Sequence, residues 1–365
     1  MLEPLVSIVI ATYNRPDVLR MAMFSVQEQS FKNWVLYVIG DNCDKRTDEV
    51  VNEFDDERIK YINLKDRFGE QSGPNSVGIA LAKSKYIAFL NHDDIWLKDH
   101  LELALSVLDK TRFNFYLGGT ANSAFIKKNK EGIEIHVDKL AGEDRKPVDF
   151  FKQKILSYEP ASSWVVDTAF IKELGYWKYF NEIYRVPIED YILRAWRAGA
   201  EFYFSNTISV WYVLTQYQKS NVENSYDYDS DEHLVIKDIL SSNTSNEVRS
   251  LLLKKYQDWI RMDPKKKSIL INQTSFGKEE SKEFNLRDKF YLFRIGIYNK
   301  FLFSNMSAYV FKVFGLDFIK YDAFFKGIEK GERMNSVILK RTGVRPSKPN
   351  KEKVIKRVLE EMNHI

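Results

Sequence analysis

The chain has 365 residues, of which 44% are hydrophobic and 29% are charged, and this composition excludes a disordered protein. The net charge of +4 is too small to indicate a nucleic-acid partner, and the single cysteine, Cys43, excludes an internal disulfide and favours a reducing compartment. No signal peptide and no transmembrane run of about 18 apolar residues is recognised. We therefore expect a cytoplasmic protein, and a location at the inner face of the plasma membrane is the alternative that stays open.

The first hundred residues alternate apolar strand segments with helical segments. Strands are predicted at 5–10, 34–39, 58–64 and 86–90, and helices at 16–29, 47–54 and 75–82. Continuous apolar strands separated by helices indicate a parallel sheet that helices cover on both faces. An α/β fold is therefore predicted for this part.

Beyond residue 110 the pattern mixes short strands with helices. Strands are predicted at 114–117, 133–136, 201–204 and 208–213, and helices at 148–156, 188–198, 232–240 and 246–260. Residues 216–230 are polar and predict a loop or linker. We thus predict a globular domain over residues 1–215, a linker over 216–230 and a mainly helical C-terminal region over 231–365.

Distinctive polar residues follow three of the predicted strands. They are Thr12, Tyr13 and Arg15 after the first strand, Asp41 after the second, and Asn91, His92, Asp93 and Asp94 after the fourth. Ligands bind beyond the carboxyl ends of open parallel sheets, so these residues should converge on one crevice. The adjacent carboxylates suit a hard divalent cation bound to phosphates, or a helix cap before residue 97. Neither a Gly-x-Gly-x-x-Gly motif nor a Walker A loop is present, which excludes those two nucleotide sites.

A second acidic pair, Glu189 and Asp190, lies at the start of a predicted amphipathic helix. Acidic residues in a first turn often do no more than complement the helix dipole. The functional alternative is a general base that takes a proton from an attacking hydroxyl. The pair by itself leaves both interpretations open.

Five segments, in order, resemble the family 2 glycosyltransferases of the GT-A fold. They are residues 6–15, 40–47, 69–78 and 89–96 and the Glu189-Asp190 pair, and together the likeness covers about residues 4–215. The resemblance implies a Rossmann-like, mostly parallel sheet flanked by helices, with a helical C-terminal extension. It also implies an inverting, non-processive enzyme that transfers one sugar from a nucleotide sugar, most often a UDP-sugar. The acceptor would be a carbohydrate or a lipid-linked saccharide in bacterial surface polysaccharide or glycolipid synthesis.

The resemblance further implies a role for each matching residue. Ala11, Tyr13 and Asp41 would hold the base and ribose of the nucleotide, and Asn91 would lie near the ribose or the sugar. Of the other residues at these strand ends, Thr12 is expected to contact the nucleotide sugar and Arg15 to meet a phosphate, whereas His92 would touch the sugar or be an ordinary packing or solvent-facing histidine. Asp93, with Asp94 beside it, would ligate Mn²⁺ or Mg²⁺, and the metal would stabilise the departing diphosphate. Asp190, with Glu189 beside it, would deprotonate the acceptor hydroxyl.

Two departures from the family pattern support a rival interpretation. Asn91 stands where the family carries an acid, and Pro74 stands where many members carry arginine. These changes favour a catalytically degenerate protein that binds nucleotide sugars or serves as a scaffold. A sugar-phosphate nucleotidyltransferase is the other alternative, but the glycine-rich N-terminal loop of that class is absent.

Three segments have two interpretations each. Residues 162–164 would line the acceptor site or lie in the core, and Glu70 and Gln71 would reach the donor or form an ordinary polar loop. The C-terminal region has aromatic residues between 290 and 325 and a basic segment at 351–357, which suit a membrane surface or an oligomer interface. Packing against the first domain is the alternative, and it is the one we expect.

Overall fold

The computed structural model describes residues 3–129, 132–141, 160–183, 186–213, 230–262, 330 and 349–363. The strands are β1 (Val6–Thr12), β2 (Trp34–Gly40), β3 (Ile59–Asn63), β4 (Tyr86–Asn91), β5 (Asp94–Trp96), β6 (Phe115–Asn129), β7 (Gly132–Ala141), β8 (Trp164–Asp167) and β9 (Phe202–Val213). The helices are α1 (Pro16–Gln27), α2 (Lys45–Asn52), α3 (Ser72–Leu81), α4 (His100–Leu108), α5 (Thr168–Leu174), α6 (Pro187–Arg197), α7 (Ser230–Ser242), α8 (Ser245–Met262) and α9 (Lys351–Asn363). The predicted helix at 148–156, nearly all of the predicted linker and the aromatic segment at 290–325 lie outside the described residues.

The described strands form one sheet in the order β3-β2-β1-β4-β8-β6-β9-β5, and β7 pairs with β6. Strands β3, β2, β1 and β4 are mutually parallel, as their continuous apolar sequences predict. Strand β8 runs antiparallel to both β4 and β6, and β5 runs antiparallel to β9. The α/β fold with a GT-A arrangement is therefore confirmed, with a sheet that is parallel in its N-terminal half and mixed as a whole.

Apolar clusters cover both faces of the sheet. One cluster joins β4 to α3, α6 and α9 and has Phe89, Trp164 and Trp177 at its centre. The cluster on the opposite face joins β1 to α1 and α4, with Trp34 and Trp96 fully buried. Alternate residues of β1 belong to opposite clusters, because successive side chains of a strand point to opposite faces. The sheet is thus covered by helices on both sides, as predicted.

Residue Trp164 belongs to the core. Its ring has no exposed surface and packs against Phe89, Phe115 and Trp177 at centroid distances of 6.3, 5.3 and 5.7 Å. Ser162 and Ser163 are also fully buried. For residues 162–164 the core interpretation is therefore the one observed.

Neither Asp93 nor Asp94 caps a helix. Asp94 begins β5, and the next helix, α4, starts only at His100 with Asp99 in the N-cap position. The capping alternative is wrong because a short strand, which has too few residues to show a period, intervenes before the helix.

The basic helix α9 packs on the domain through Val354, Ile355 and Val358, which are all buried. This is the packing that we expected for residues 351–363. Among the described helices, none combines the length and the apolar character that crossing a bilayer requires.

Candidate functional site

The carboxyl ends of β1, β2 and β4 meet at one edge of the sheet, as predicted. Ala11 lies opposite Ile39 of β2 and Asn91 of β4, and it is partly exposed. The next residue, Thr12, accepts a hydrogen bond on its carbonyl oxygen from the Asp41 amide at 2.9 Å. Adjacent parallel strands therefore place the predicted nucleotide-sugar residues side by side.

Arg15, His92 and Asp93 form a polar cluster at this edge. Arg15 Nη1 donates to Asp93 Oδ2 at 2.8 Å and lies 3.3 Å from His92 Nε2. His92 Nδ1 lies 3.1 Å from Thr12 Oγ1. Arg15 was predicted to meet a phosphate, and in this structure its guanidinium group lies against a carboxylate of the same crevice.

The charges in this cluster influence one another. Burial is the largest single influence on Asp93 and would raise its pKa, but the charge of Arg15, its hydrogen bond and the neighbouring His92 together outweigh burial and hold the pKa below its usual range. Burial lowers the pKa of His92 to about 4, so the imidazole is neutral at pH 7. The side chain of Asp93 remains 31% exposed. The cluster thus presents an ionised, accessible carboxylate beside a neutral histidine.

Asn91, Asp94 and Ser162 form a second polar cluster, in which Asp94 and Ser162 are fully buried. Asn91 Nδ2 donates to Asp94 Oδ2 at 2.8 Å, and the Asn91 amide donates to Ser162 Oγ at 3.0 Å. Ser162 Oγ in turn donates to the same Asp94 oxygen. Burial raises the pKa of Asp94 well above its usual value, and the nearby Asp93 charge acts in the same direction.

These contacts give Asp94 and Asn91 structural roles. A fully buried carboxyl group with one oxygen held by two donors has little access to a cation, which argues against Asp94 as a metal ligand. The side-chain amide of Asn91 donates a hydrogen bond to Asp94, whereas an acidic residue at position 91 would place a second carboxylate beside that of Asp94. The departure at Asn91 therefore has a local physical explanation.

Asp41 lies under the loop that connects β3 to α3. Its two oxygens accept hydrogen bonds from the amides of Phe68 and Gly69, each at 2.7 Å. The residue is only 3% exposed, and burial raises its pKa to about 6 although both amides oppose the shift. Its predicted contact with base or ribose would have to use the lone pairs that remain on these oxygens.

The ring of Tyr13, predicted to contact the nucleotide, is covered by Arg67. The guanidinium carbon of Arg67 lies 4.0 Å from the centroid of the ring. Sequence reasoning missed Arg67, and it named Ser162 as an acceptor-site or core residue without predicting its contact with Asp94. An arginine in a polar loop and a serine in an irregular segment carry no periodic signal, and only their spatial neighbours reveal them.

The acidic pair lies in the first turn of α6, as predicted. Asp190 Oδ2 accepts a hydrogen bond from Arg194 Nε at 2.8 Å, and the Asp190 side chain is 16% exposed. Arg194 also donates to the carbonyls of Leu174 and Tyr176, at 3.2 and 2.9 Å. The role of Asp190 and Glu189 in proton transfer stays a prediction.

The described residues contain no group of three or more His, Cys, Asp or Glu side chains that could hold a metal ion. A cation such as Mg²⁺ is often bound by one or two carboxylates, with substrate phosphates and water as its other ligands. The accessible, ionised Asp93 fits that mode. Asp94 does not fit it.

Comparison with known proteins bears on the same part of the chain. Residues 7–166 match the family model described as Glycosyl transferase family 2. This segment is a family 2 glycosyltransferase domain. The match contains the strand ends with Asp41, Asn91 and Asp93, and it ends before Glu189 and Asp190.

Two curated relatives illustrate the likeness. The UDP-Glc:alpha-D-GlcNAc-diphosphoundecaprenol beta-1,3-glucosyltransferase WfgD of Escherichia coli is 34% identical over 114 residues, which are 31% of this chain and 45% of that protein. The putative teichuronic acid biosynthesis glycosyltransferase TuaG of Bacillus subtilis is 32% identical over 108 residues, which are 29% of this chain and 42% of that protein. The chain spans less than half the length of these two relatives.

Solved structures show more distant similarity. TarS 1–349 of S. aureus in complex with UDP-GlcNAc is 14% identical with a TM-score of 0.46, and the match covers 71% of this chain and 74% of that one. The mannosyltransferase PcManGT of Pyrobaculum calidifontis, in complex with GDP-Man and Mn²⁺, is 11% identical with a TM-score of 0.45 and 86% coverage of both chains.

Proposed function

We propose that this protein is an inverting glycosyltransferase that transfers one sugar from a UDP-sugar to an acceptor hydroxyl with the help of a divalent cation. The observation that carries the proposal is the convergence of Thr12, Asp41, His92 and Asp93 at one sheet edge within a family 2 domain. We also propose that residues 1–215 form the catalytic domain and that 231–365 form a mainly helical C-terminal region.

The names of the curated relatives support the choice of donor and acceptor. The E. coli relative is named for UDP-Glc and a diphosphoundecaprenol-linked acceptor, and the B. subtilis relative for teichuronic acid biosynthesis. We infer a lipid-linked saccharide acceptor in surface polysaccharide or glycolipid synthesis. Such an acceptor would bring a cytoplasmic enzyme to the inner face of the membrane.

Different residues at the sheet edge would bind different parts of the nucleotide-sugar donor. Tyr13 and Arg67 form a stacked pair to which a nucleotide base can add a further layer. Asp93 would hold Mn²⁺ or Mg²⁺, and the bound cation would neutralise the developing charge of the diphosphate leaving group. Arg15 already lies at this carboxylate and can share the diphosphate as a second cationic group.

Proton transfer would fall to Asp190. The acceptor oxygen would form a bond to the anomeric carbon while its proton passes to the Asp190 carboxylate. The bond from that carbon to the diphosphate oxygen would break, and its electron pair would leave with the nucleoside diphosphate. A single in-line displacement of this kind inverts the anomeric configuration.

A protein that binds nucleotide sugars without turnover is the second candidate. The ion pairs of Asp93 with Arg15 and of Asp190 with Arg194 favour it, because each occupies one oxygen of a carboxylate that catalysis would need. In an active enzyme, the cation and the acceptor would have to use the other oxygen of each carboxylate, or substrate binding would have to rearrange the pairs.

Thermal unfolding with UDP-, GDP-, CMP- and dTDP-sugars, each with and without Mn²⁺, tests the proposal. A ligand that binds only the native state raises the melting temperature, and we expect a Mn²⁺-dependent rise with a UDP-sugar. The Asp93→Asn variant should lose the dependence on Mn²⁺. Asp109→Asn, which removes an exposed carboxylate paired with Lys85, is the matched control and should keep it.

The outcomes separate the two candidates. A shift with a UDP-sugar, followed by transfer to lipid-linked acceptors, supports the enzyme. A shift without transfer to any acceptor of a broad panel supports the binding protein. No shift with any nucleotide sugar refutes both.

A further inference from the structure

The C-terminal helix α9 packs directly on the loop 64–71, which we name the donor loop. The buried residues Val354, Ile355 and Val358 of α9 share one apolar cluster with Leu64 and Phe68 of the loop. These two segments are almost 300 residues apart in the sequence. Their contact is therefore a product of the tertiary fold.

Two ion pairs join the exposed side of this contact. Arg357 Nη2 donates to Asp66 Oδ2 at 2.8 Å, and Lys65 Nζ donates to Glu361 Oε1 at 2.9 Å. The two α9 residues are four positions apart, so they lie on the same face of the helix. Consecutive loop residues are thus held by successive turns of α9.

The same loop is joined to the nucleotide site through the residues that follow. The amides of Phe68 and Gly69 donate to Asp41, and the Arg67 guanidinium lies over the Tyr13 ring. Residues 65 and 66 therefore contact α9 while residues 67–69 contact the site. With so few residues between the two contacts, a displacement of α9 must shift the groups that face the donor.

We infer that α9 is a positioning element of the donor site, with Arg357 and Asp66 as positioning residues. The inference rests on the proposed function. A bound nucleotide would stabilise the donor loop in its observed conformation, and that conformation is the one on which α9 packs. By thermodynamic reciprocity, occupancy of the site and packing of α9 must strengthen each other.

Hydrogen exchange of the full chain, with and without UDP and Mn²⁺, tests this coupling. We expect amide exchange to slow by about threefold or more both in residues 64–71 and in residues 351–363. Helix α4, on the opposite face of the sheet, is the internal reference and should not change. Protection of the donor loop without protection of α9 overturns the inference and leaves the proposed function standing. Absence of protection in both segments refutes the proposed function and the inference with it.

A pair of variants tests the residues themselves. Arg357→Ala should raise the Kd of UDP by about threefold, which is the effect expected from a partly exposed ion pair. Asp66→Ala should raise it similarly, and the double variant should add nothing further, because both changes remove the same contact. The control is Lys356→Ala, whose side chain is 79% exposed and pairs with Glu360 within the helix. An unchanged Kd in Arg357→Ala, or an equal rise in Lys356→Ala, contradicts the assignment.

Discussion

Replacing Gly73 by alanine should damage the donor site from a distance. Gly73 lies in the first turn of α3, and a Cβ atom there would stand 2.2 Å from Cγ of Phe68. The Phe68 ring is 1% exposed and packs edge-on against Tyr179 at a centroid distance of 6.1 Å, so it has little room to move aside. The added methyl group must therefore displace Phe68 together with its backbone.

The expected magnitude follows from two opposing effects. Alanine in place of glycine stabilises a helix interior by about 1 kcal/mol, whereas overpacking of a tight core costs about 1–3 kcal/mol. The overpacking cost less the helix gain leaves a net loss, and we expect Gly73→Ala to lower the free energy of unfolding by up to about 2 kcal/mol. The Phe68 amide would also shift away from Asp41, and we expect UDP affinity to fall by about tenfold, or ~1.4 kcal/mol.

Urea unfolding and calorimetric titration with UDP and Mn²⁺ measure the two effects separately. The matched control is Gly78→Ala in the same helix, where a Cβ atom would stand 2.3 Å from Cγ1 of Val9 in the middle of β1. Gly78→Ala should lose similar stability but keep its affinity for UDP. If Gly73→Ala binds UDP like the unaltered protein, or if both variants lose affinity equally, the reasoning is refuted.

Three further predictions concern single side chains. Ser162→Ala should lower the free energy of unfolding by about 1–3 kcal/mol in urea titrations, because buried Asp94 loses a hydrogen-bond donor. The control Ser106→Ala, on the exposed surface of α4, should leave the free energy of unfolding unchanged. Burial raises the pKa of Asp41 from 3.8 to about 6, so protonation of Asp41 favours the native state. This contribution to the free energy of unfolding is present below about pH 4, and about 3 kcal/mol is lost as the pH rises through 6. In urea unfolding at several pH values, the Asp41→Asn variant should lose less stability between about pH 4 and pH 7 than the unaltered protein. Identical pH profiles of the two proteins contradict the raised pKa of Asp41. Asp190→Asn should retain UDP binding in calorimetry while transfer in a radiolabelled-sugar assay falls by at least about 100-fold, and unchanged transfer removes Asp190 from the base role.

Elements with a strong local signal were predicted well. The buried strands β1, β2 and β4 are continuous apolar runs, and the structure contains each of them within a residue or two of its predicted bounds. Helix α3 begins at Ser72, three residues before its predicted start. Gly73 and Pro74 usually interrupt helices, but a proline is well tolerated in a first turn. The short strands β5 and β8 were missed because three or four residues cannot display a period.

The predicted donor residues met at one sheet edge, but their partners were not predictable. Asp93 contacts Arg15, and Asp94 contacts Ser162, a residue 68 positions away. Whether a carboxylate is accessible with a lowered pKa or buried with a raised pKa depends on these neighbours. Asp93 and Asp94 are adjacent in the sequence, yet Asp93 is partly exposed beside Arg15 and Asp94 is fully buried beside Ser162.

The sequence by itself determined the α/β class, the parallel half of the sheet and the edge at which its polar residues meet. Those properties follow from local apolar periodicity and from the rule that parallel strands share one carboxyl end. Only the tertiary structure decided that Arg67 covers Tyr13, that Asn91 supplies a donor to Asp94, and that α9 supports the donor loop. These contacts join residues according to packing and burial in three dimensions, and no local pattern encodes which distant side chain fills a given space.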